Sequence, residues 1–260
     1  MSPALKVATW NVNSLRVRLE QVTGWLERRA PDLLALQETK IKDEDFPVEP
    51  FERLGYRVLF SGQAAYNGVA LLSRTPPDEV VTKLAGFEDD ARRVLAATCG
   101  ALRVINLYVP NGQHVESDKY RYKLAWLAAL REQLKIESAE HPYCVVLGDF
   151  NIAPEDRDVY DPVAWQGKVL CSDSERAALA AILEVGFVDT FRLFAQPQST
   201  YSWWDYRAGA FRRNRGLRID LVLASRALSE HCTACTIDAE PRGWERPSDH
   251  APVISEFAEL

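Results

Sequence analysis

Apolar residues follow two rhythms along the chain. Over Leu15–Arg29, Lys119–Glu137 and Glu175–Val185 they recur at helical spacing, as in Leu124, Leu127, Leu130 and Leu134. The third helix is announced by Ser172 and Glu175, an S-x-x-E box whose side chains cap each other's backbone N–H groups. Short β-like runs lie between: Leu5–Trp10, Leu33–Gln37, Val58–Phe60, Val69–Leu72, Val94–Thr98, Leu102–Tyr108, Cys144–Leu147, Ile219–Ala224, Thr233–Ile237 and Val253–Phe257. Tight breaks such as Cys99-Gly100-Ala101 predict that much of the pairing is antiparallel. Many strands with few helices, and no low-complexity linker, predict one α/β domain over residues 1–260, with two packed sheets and helices outside.

The strands end in polar groups. Trp10 leads into Asn11-Val12-Asn13, Leu36 into Gln37-Glu38, and Leu107 into Tyr108-Val109-Pro110-Asn111. Leu147 leads into Gly148-Asp149-Phe150-Asn151, Asp220 opens a strand, and Asp249-His250 precedes the last one. Any single Asn, Asp or Gly there is ordinary turn chemistry. Six apolar strands with functional groups at their ends are better explained by a site displayed on a rigid scaffold. Residues two apart in an extended segment share a face, so Asp149 with Asn151, and Asn11 with Asn13, each offer an acceptor beside an amide that can donate to a phosphoryl oxygen.

Glu38, Asp249 and Asn11 are hard oxygen donors, which suit Mg2+, with Mn2+ the alternative, better than zinc or copper. Asp220 is placed to fix the tautomer of His250. No Ser or Cys nucleophile motif accompanies the pair, so water is the expected nucleophile. Cys232 and Cys235 form a lone C-x-x-C without the second pair that a zinc site needs.

Composition narrows the partners. With 31 Lys+Arg against 37 Asp+Glu, the net charge of −6 argues against nonspecific coating of nucleic acid or anionic membrane. A local basic surface is still available in Arg207, Arg212, Arg213, Arg215 and Arg218, in Lys119, Arg121 and Lys123, and in Arg92 and Arg93. Five cysteines with no framework spacing, no signal-like apolar start and no membrane-length run predict a cytoplasmic protein.

Several motifs together resemble the exonuclease III family of abasic-site endonucleases, within the wider endonuclease/exonuclease/phosphatase fold. They are Leu36-Gln37-Glu38-Thr39-Lys40, Tyr108-Val109-Pro110-Asn111-Gly112, Gly148-Asp149-Phe150-Asn151-Ile152, Tyr201-Ser202-Trp203-Trp204, Arg218-Ile219-Asp220 and Ser248-Asp249-His250-Ala251-Pro252. The resemblance implies a four-layer α/β sandwich of two mixed, mainly antiparallel β-sheets packed face to face with helices outside. It also implies roles: Glu38 as main metal ligand with Asn11 and Asp249 nearby, and Asp149 as the residue that orients or deprotonates water. Asn151, Asn111 and His250 would hold the scissile phosphate, Asp220 would support His250, and Tyr108 would touch phosphate or leaving group. Trp203, Leu217 and Ile219 become candidates for a small apolar pocket that accepts a flipped sugar lacking its base. One of Trp203 and Trp204 is expected to be plain core.

The implied activity is a Mg2+-dependent incision 5′ to an abasic site that leaves a 3′-hydroxyl. 3′→5′ exonuclease and 3′-phosphatase activities accompany it, on double-stranded DNA with abasic sites or blocked 3′ ends, and the enzyme is expected to be a monomer. A phosphodiesterase or phosphatase of the same fold acting on phosphoinositides is the alternative. The absence of a membrane-binding segment and the arginine-rich loop weigh against it. A binding module without catalysis would not retain the full set of site residues.

Overall fold

The computed structural model describes residues 4–258. One sheet runs, in spatial order, β11 (Cys232–Ile237), β12 (Val253–Phe257), β1 (Leu5–Asn11), β2 (Leu33–Gln37), β4 (Val69–Ser73) and β3 (Arg57–Ser61). The other runs β5 (Pro77–Val81), β6 (Val94–Cys99), β7 (Leu102–Tyr108), β8 (Cys144–Asp149), β10 (Asp220–Ser225) and β9 (Phe187–Asp189). Among the described residues, only β1–β2 and β7–β8 pair in parallel. A parallel pair needs a crossover, and α1 (Leu15–Arg29) and α3 (Asp118–Glu140) supply one each. The other helices are α2 (Glu49–Arg53), α4 (Pro162–Trp165), α5 (Asp173–Glu184) and α6 (Arg226–Ser229).

Alternation along the strands builds four layers. Val7, Leu33 and Val69 of the first sheet meet Leu95, Val104, Val145 and Val222 of the second in a shared inner core. The outer face of the first sheet, with Trp10, Leu34 and Leu36, packs under Trp25 and Leu26 of α1. That of the second, with Ile105 and Val146, packs under Trp126 and Leu130 of α3 and Leu179 and Ile182 of α5. The predicted α/β sandwich is what forms. The three predicted helices match α1, α3 and α5 closely, the Ser172–Glu175 box caps α5, and the short α2, α4 and α6 carried no helical period long enough to be predicted.

Two strands went unrecognised in the sequence. β5 is an edge strand with a Pro and two acids and an exposed face, and β9 is only three residues long. Neither carries an apolar run long enough to register.

The same alternation places the polar strand ends. Positions facing the inner core read Val7-Thr9-Asn11 on β1, Leu33-Ala35-Gln37 on β2, Val104-Asn106-Tyr108 on β7 and Val145-Leu147-Asp149 on β8. The inter-sheet layer is therefore apolar for most of its depth and turns polar at one end. Just below that end, Gln37 Nε2 donates across the sheets to Asn106 Oδ1 at 2.8 Å, and Asn106 Nδ2 donates back to the carbonyls of Leu36 (3.0 Å) and Ala70 (2.8 Å). Gly148 lets β8 approach β7 here: a Cβ on it would lie 1.9 Å from the Leu107 carbonyl oxygen.

Candidate active site

At the mouth between the sheets, one amide nitrogen faces two carboxylates. Asn11 Nδ2 donates to Glu38 Oε1 at 2.8 Å and to Asp149 Oδ2 at 2.9 Å, while Asn11 Oδ1 accepts the Asn13 N–H at 2.9 Å. Oxygen atoms of Glu38 and Asp149 and a ring nitrogen of His250 lie within 4.8 Å of one another. Both sheets contribute, with Asn11 and Glu38 coming from the end of the first and Asp149, Tyr108 and Asp220 from the second.

Turns hold these groups. Asn13, Glu38, Lys40 and Asn151 all have positive φ, at 43°, 50°, 55° and 50°. Such left-handed residues cost energy that surrounding hydrogen bonds must offset. The Asn151 N–H donates to Asp149 Oδ1 at 2.9 Å, and Asn151 Nδ2 donates to the Val109 carbonyl at 3.0 Å. Asp149 and Asn151 thus meet through a side-chain-closed turn, as do Asn11 and Asn13. The expected extended alternation is not the cause, because the strands stop at Asn11 and Asp149. Gly68 braces the Glu38 turn: it accepts the Thr39 N–H at 3.1 Å, and a Cβ there would lie 2.3 Å from Thr39 Oγ1.

The histidine is locked from both sides. His250 Nδ1 is 2.9 Å from Asp220 Oδ2 and 3.1 Å from Oδ1, and Nε2 is 3.8 Å from Asp149 Oδ2. Ser202 Oγ–H donates to Asp220 Oδ2 at 2.6 Å, and Trp10 Nε1 donates to the His250 carbonyl at 3.2 Å. Burial disfavours the imidazolium, but the carboxylates of Asp220, Asp149 and Asp249 outweigh it and raise the His250 pKa to about 10. Burial moves Asp149 the other way for a carboxyl: with Asp220 and Glu38 adding repulsion and His250 opposing, its pKa rises to about 7. Burial would also raise Asp249, yet His250, Asn13 and Trp203 together hold it below the usual carboxylate range. Tyr108 stays a phenol, its pKa raised by burial and by Glu38 and Asp149, with the Arg93 guanidinium 4.8 Å from its ring centre.

Other predicted residues fall around this centre. Asn111 Nδ2 donates to Asn151 Oδ1 at 3.0 Å. Asp249 stands outside the Glu38–Asp149–His250 group, accepting from Asn13 Nδ2 at 2.9 Å and Trp203 Nε1 at 3.0 Å. Leu217 and Ile219 join Leu170, Cys171, Ala153 and Val159 in an apolar cluster and are fully covered, with half-buried Trp203 at its edge. Trp204 is the core member of its pair. Lys119 and Arg215 are exposed, and Arg92 is half-buried.

Two of the expected phosphate contacts do not reach solvent. Arg218 is 1% exposed and bound to Asp158 and Asp189, and Lys123 is fully buried against Glu175. Basic spacing in the sequence could not tell a solvated cation from one neutralised by a distant carboxylate. The sequence reading also missed Lys40, whose Nζ lies 2.9 Å from Glu38 Oε2 and also donates to Asn13 Oδ1. Its position two residues after Glu38, in Glu38-Thr39-Lys40, was the available signal.

A polar mouth between two mixed sheets, with clustered carboxylates, amide donors and an aspartate-backed imidazolium, defines a hydrolase of phosphate esters. The chain belongs to the endonuclease/exonuclease/phosphatase family, whose sequence profile matches residues 8–250. It is 37% identical to exodeoxyribonuclease III of Haemophilus influenzae, over 97% of this chain and 100% of that one. Among solved structures it is similar to the Neisseria 3′ phosphatase NExo bound to a product DNA hairpin, at 45% identity and TM-score 0.97, covering 98% of this chain and 100% of that one. An AP endonuclease from Archaeoglobus fulgidus is 41% identical with TM-score 0.94, over 98% and 100% of the two chains.

Proposed function

We propose that this protein is a metal-dependent DNA repair nuclease of the exonuclease III type that hydrolyses the phosphodiester 5′ to an abasic site and leaves a 3′-hydroxyl. 3′→5′ exonuclease and 3′-phosphatase activities at blocked ends use the same groups. The observation that carries the reading is Asp149 beside His250 at 3.8 Å, with the imidazole backed by Asp220. Asp149, with its pKa raised to about 7, can take a proton from water near neutral pH. His250, held as imidazolium, offers its Nε2–H to a phosphoryl oxygen, and the amides of Asn151 and Asn111 add fixed donors. Tyr108, kept protonated, is a donor toward phosphate or the departing oxygen.

The donor set fits a hard divalent cation, Mg2+ or Mn2+. Glu38 and Asp149 converge on one amide nitrogen with Asp220 behind, an accumulation of negative charge that a cation would offset. Glu38 would hold it, with Asn11 and Asp249 framing the position. Such an ion, when bound, stabilises the charge that develops on the phosphoryl group.

Trp203, with Leu217 and Ile219 behind it, is the apolar wall for a sugar without its base, and Asn13, Lys119, Arg92 and Arg215 are the DNA contacts. The enzyme works as a cytoplasmic monomer through one domain: both sheets share one inner core, one chain supplies every group named, and the five cysteines are free thiols. A duplex oligonucleotide with one abasic-site analogue, incubated with Mg2+ or with EDTA, tests the reading. A Mg2+-dependent nick immediately 5′ to the analogue is expected. No nick, or one at random positions, would overturn it.

A further inference from the structure

Lys123 lies on the buried face of α3 with no exposed surface, among Tyr120, Trp126 and Leu127. A leucine or methionine would fill such a position without desolvating a charge, and buried ion pairs give little net stability over apolar replacements. The placement of its three donors suggests another purpose. Lys123 Nζ donates to the Asn151 carbonyl at 2.6 Å, to the Asn111 carbonyl at 3.2 Å and to Glu175 Oε1. Those two asparagines are the ones whose side chains bond each other at the mouth. Gly112, next to Asn111, makes room for the lysine stem: a Cβ there would meet Lys123 Cδ and Val169 Cγ2 at 3.2 Å.

Glu175 extends the link to the loop before α5. Its carboxylate accepts the Leu170 N–H at 3.0 Å and the Ser172 N–H at 3.1 Å, and also bonds the Ser172 hydroxyl. Leu170 sits at φ 74°, a left-handed conformation rarely adopted by a branched side chain, and its carbonyl accepts the Ala153 N–H at 2.8 Å. Leu170 and Cys171 pack against Leu217 and Ile219. One buried cation and one buried anion therefore tie the amide pair of the mouth to the apolar wall beside it.

We propose that Lys123 and Glu175 are a positioning pair: together they aim the Asn111 and Asn151 amides at the phosphate and hold the Leu170–Ser172 loop against the apolar wall. The pair thereby sets both turnover and the preference for a nucleotide lacking its base. The substrate part of this rests on the proposed nuclease reading; the geometric part does not.

The test is the double variant Lys123→Met with Glu175→Gln. It leaves no lone buried charge and keeps a capping residue at the start of α5. Lys123→Met alone would strand the Glu175 carboxylate and serves only as a folding comparison. In the protein without metal or DNA, the side-chain amide protons of Asn111 and Asn151 should exchange faster in the double variant, while those of Asn106 stay as in wild type. With abasic-analogue duplex, kcat should fall about 10²-fold, the size of effect expected from misplaced donors, with KM little changed. The ratio of abasic incision to exonuclease on a blunt duplex should also fall. A folded double variant with wild-type amide exchange, or with wild-type kcat and ratio, would overturn the proposal. If wild type itself cuts neither duplex, the nuclease reading fails, and the exchange measurement still decides the positioning claim.

Discussion

Asp149 Oδ2 stands 3.8 Å from His250 Nε2, and the opposite ring nitrogen of His250 stands 2.9 Å from Asp220 Oδ2. The imidazole is thus the middle member of a carboxylate–imidazolium–carboxylate row. Each neighbour makes the ring harder to deprotonate, and the ring in turn eases ionisation of Asp149.

Turnover should depend on pH in a bell shape. Asp149 must lose its proton to act as base, so kcat/KM rises as pH climbs through about 7. His250 must keep its proton, so the rate declines as pH passes about 10. A pH profile of kcat/KM checks both limbs, and a rate that stays level from mildly acid to neutral pH would contradict the role given to Asp149.

Asp149→Asn keeps the size of the side chain and removes the base. Cleavage should fall by about 10²–10⁴-fold, while fluorescence anisotropy shows duplex affinity retained. Wild-type cleavage by this variant would assign the proton transfer elsewhere.

Ser202 holds Asp220 through a 2.6 Å hydrogen bond and accepts the N–H groups of Ile219 and Asp220. Ser202→Ala should destabilise the fold by about 1–3 kcal/mol, because buried donors lose their acceptor. It should also leave the Asp220 carboxylate with one donor fewer to share its charge with, so the His250 titration followed by NMR should move upward. A downward shift would show that Ser202 does not act through Asp220.

Asn106→Leu would remove the donor that reaches the Leu36 and Ala70 carbonyls from the opposite sheet. Urea unfolding should show a loss of about 1–3 kcal/mol, because Asn106 also accepts from buried Gln37, which would lose that acceptor. Cleavage should weaken too, since Asn106 lies two residues below Tyr108 and its partner Gln37 adjoins Glu38. A stable, fully active Asn106→Leu enzyme would mean that apolar packing alone sets the distance between the sheets at the mouth.

Acid sensitivity should reside partly in a pair far from the mouth. Burial would raise the Glu137 carboxyl, but hydrogen bonds from Arg103 and Gln133 overcome it and hold its pKa below 4.5. A depressed carboxylate stabilises the fold above its unfolded value, and that contribution is lost as pH falls through the folded one. Glu137→Gln should therefore be less stable than wild type at neutral pH and lose less on acidification, as read by urea unfolding at pH 7 and below 4.5.

Much of this was legible in the sequence because strands and amphipathic helices carry periods that local pattern reveals. Leu15–Arg29 is α1 residue for residue, and the strand ends around Asn11, Glu38, Asp149 and Asp220 do meet. Long-range charge pairing was not legible. Nothing in the order of residues says that Arg218 will meet Asp158, sixty positions away, or that Lys123 will turn inward to Glu175. Whether a cation faces DNA or the core depends on the partner that tertiary structure brings to it. Nor could pattern separate the extended pairing expected at Asp149–Asn151 from the positive-φ turn that brings them together.

β12 lies between β11 and β1, although it comes last of the twelve strands among the described residues. Asp249 and His250 arrive with it, after Glu38 and Asp149 have long been made. With β12 seated between β11 and β1, the imidazolium rests between Asp149 and Asp220. The ring thus comes from the end of one sheet and both of its aspartates from the other, so the imidazolium is a charged clasp that closes the two sheets on each other at the mouth.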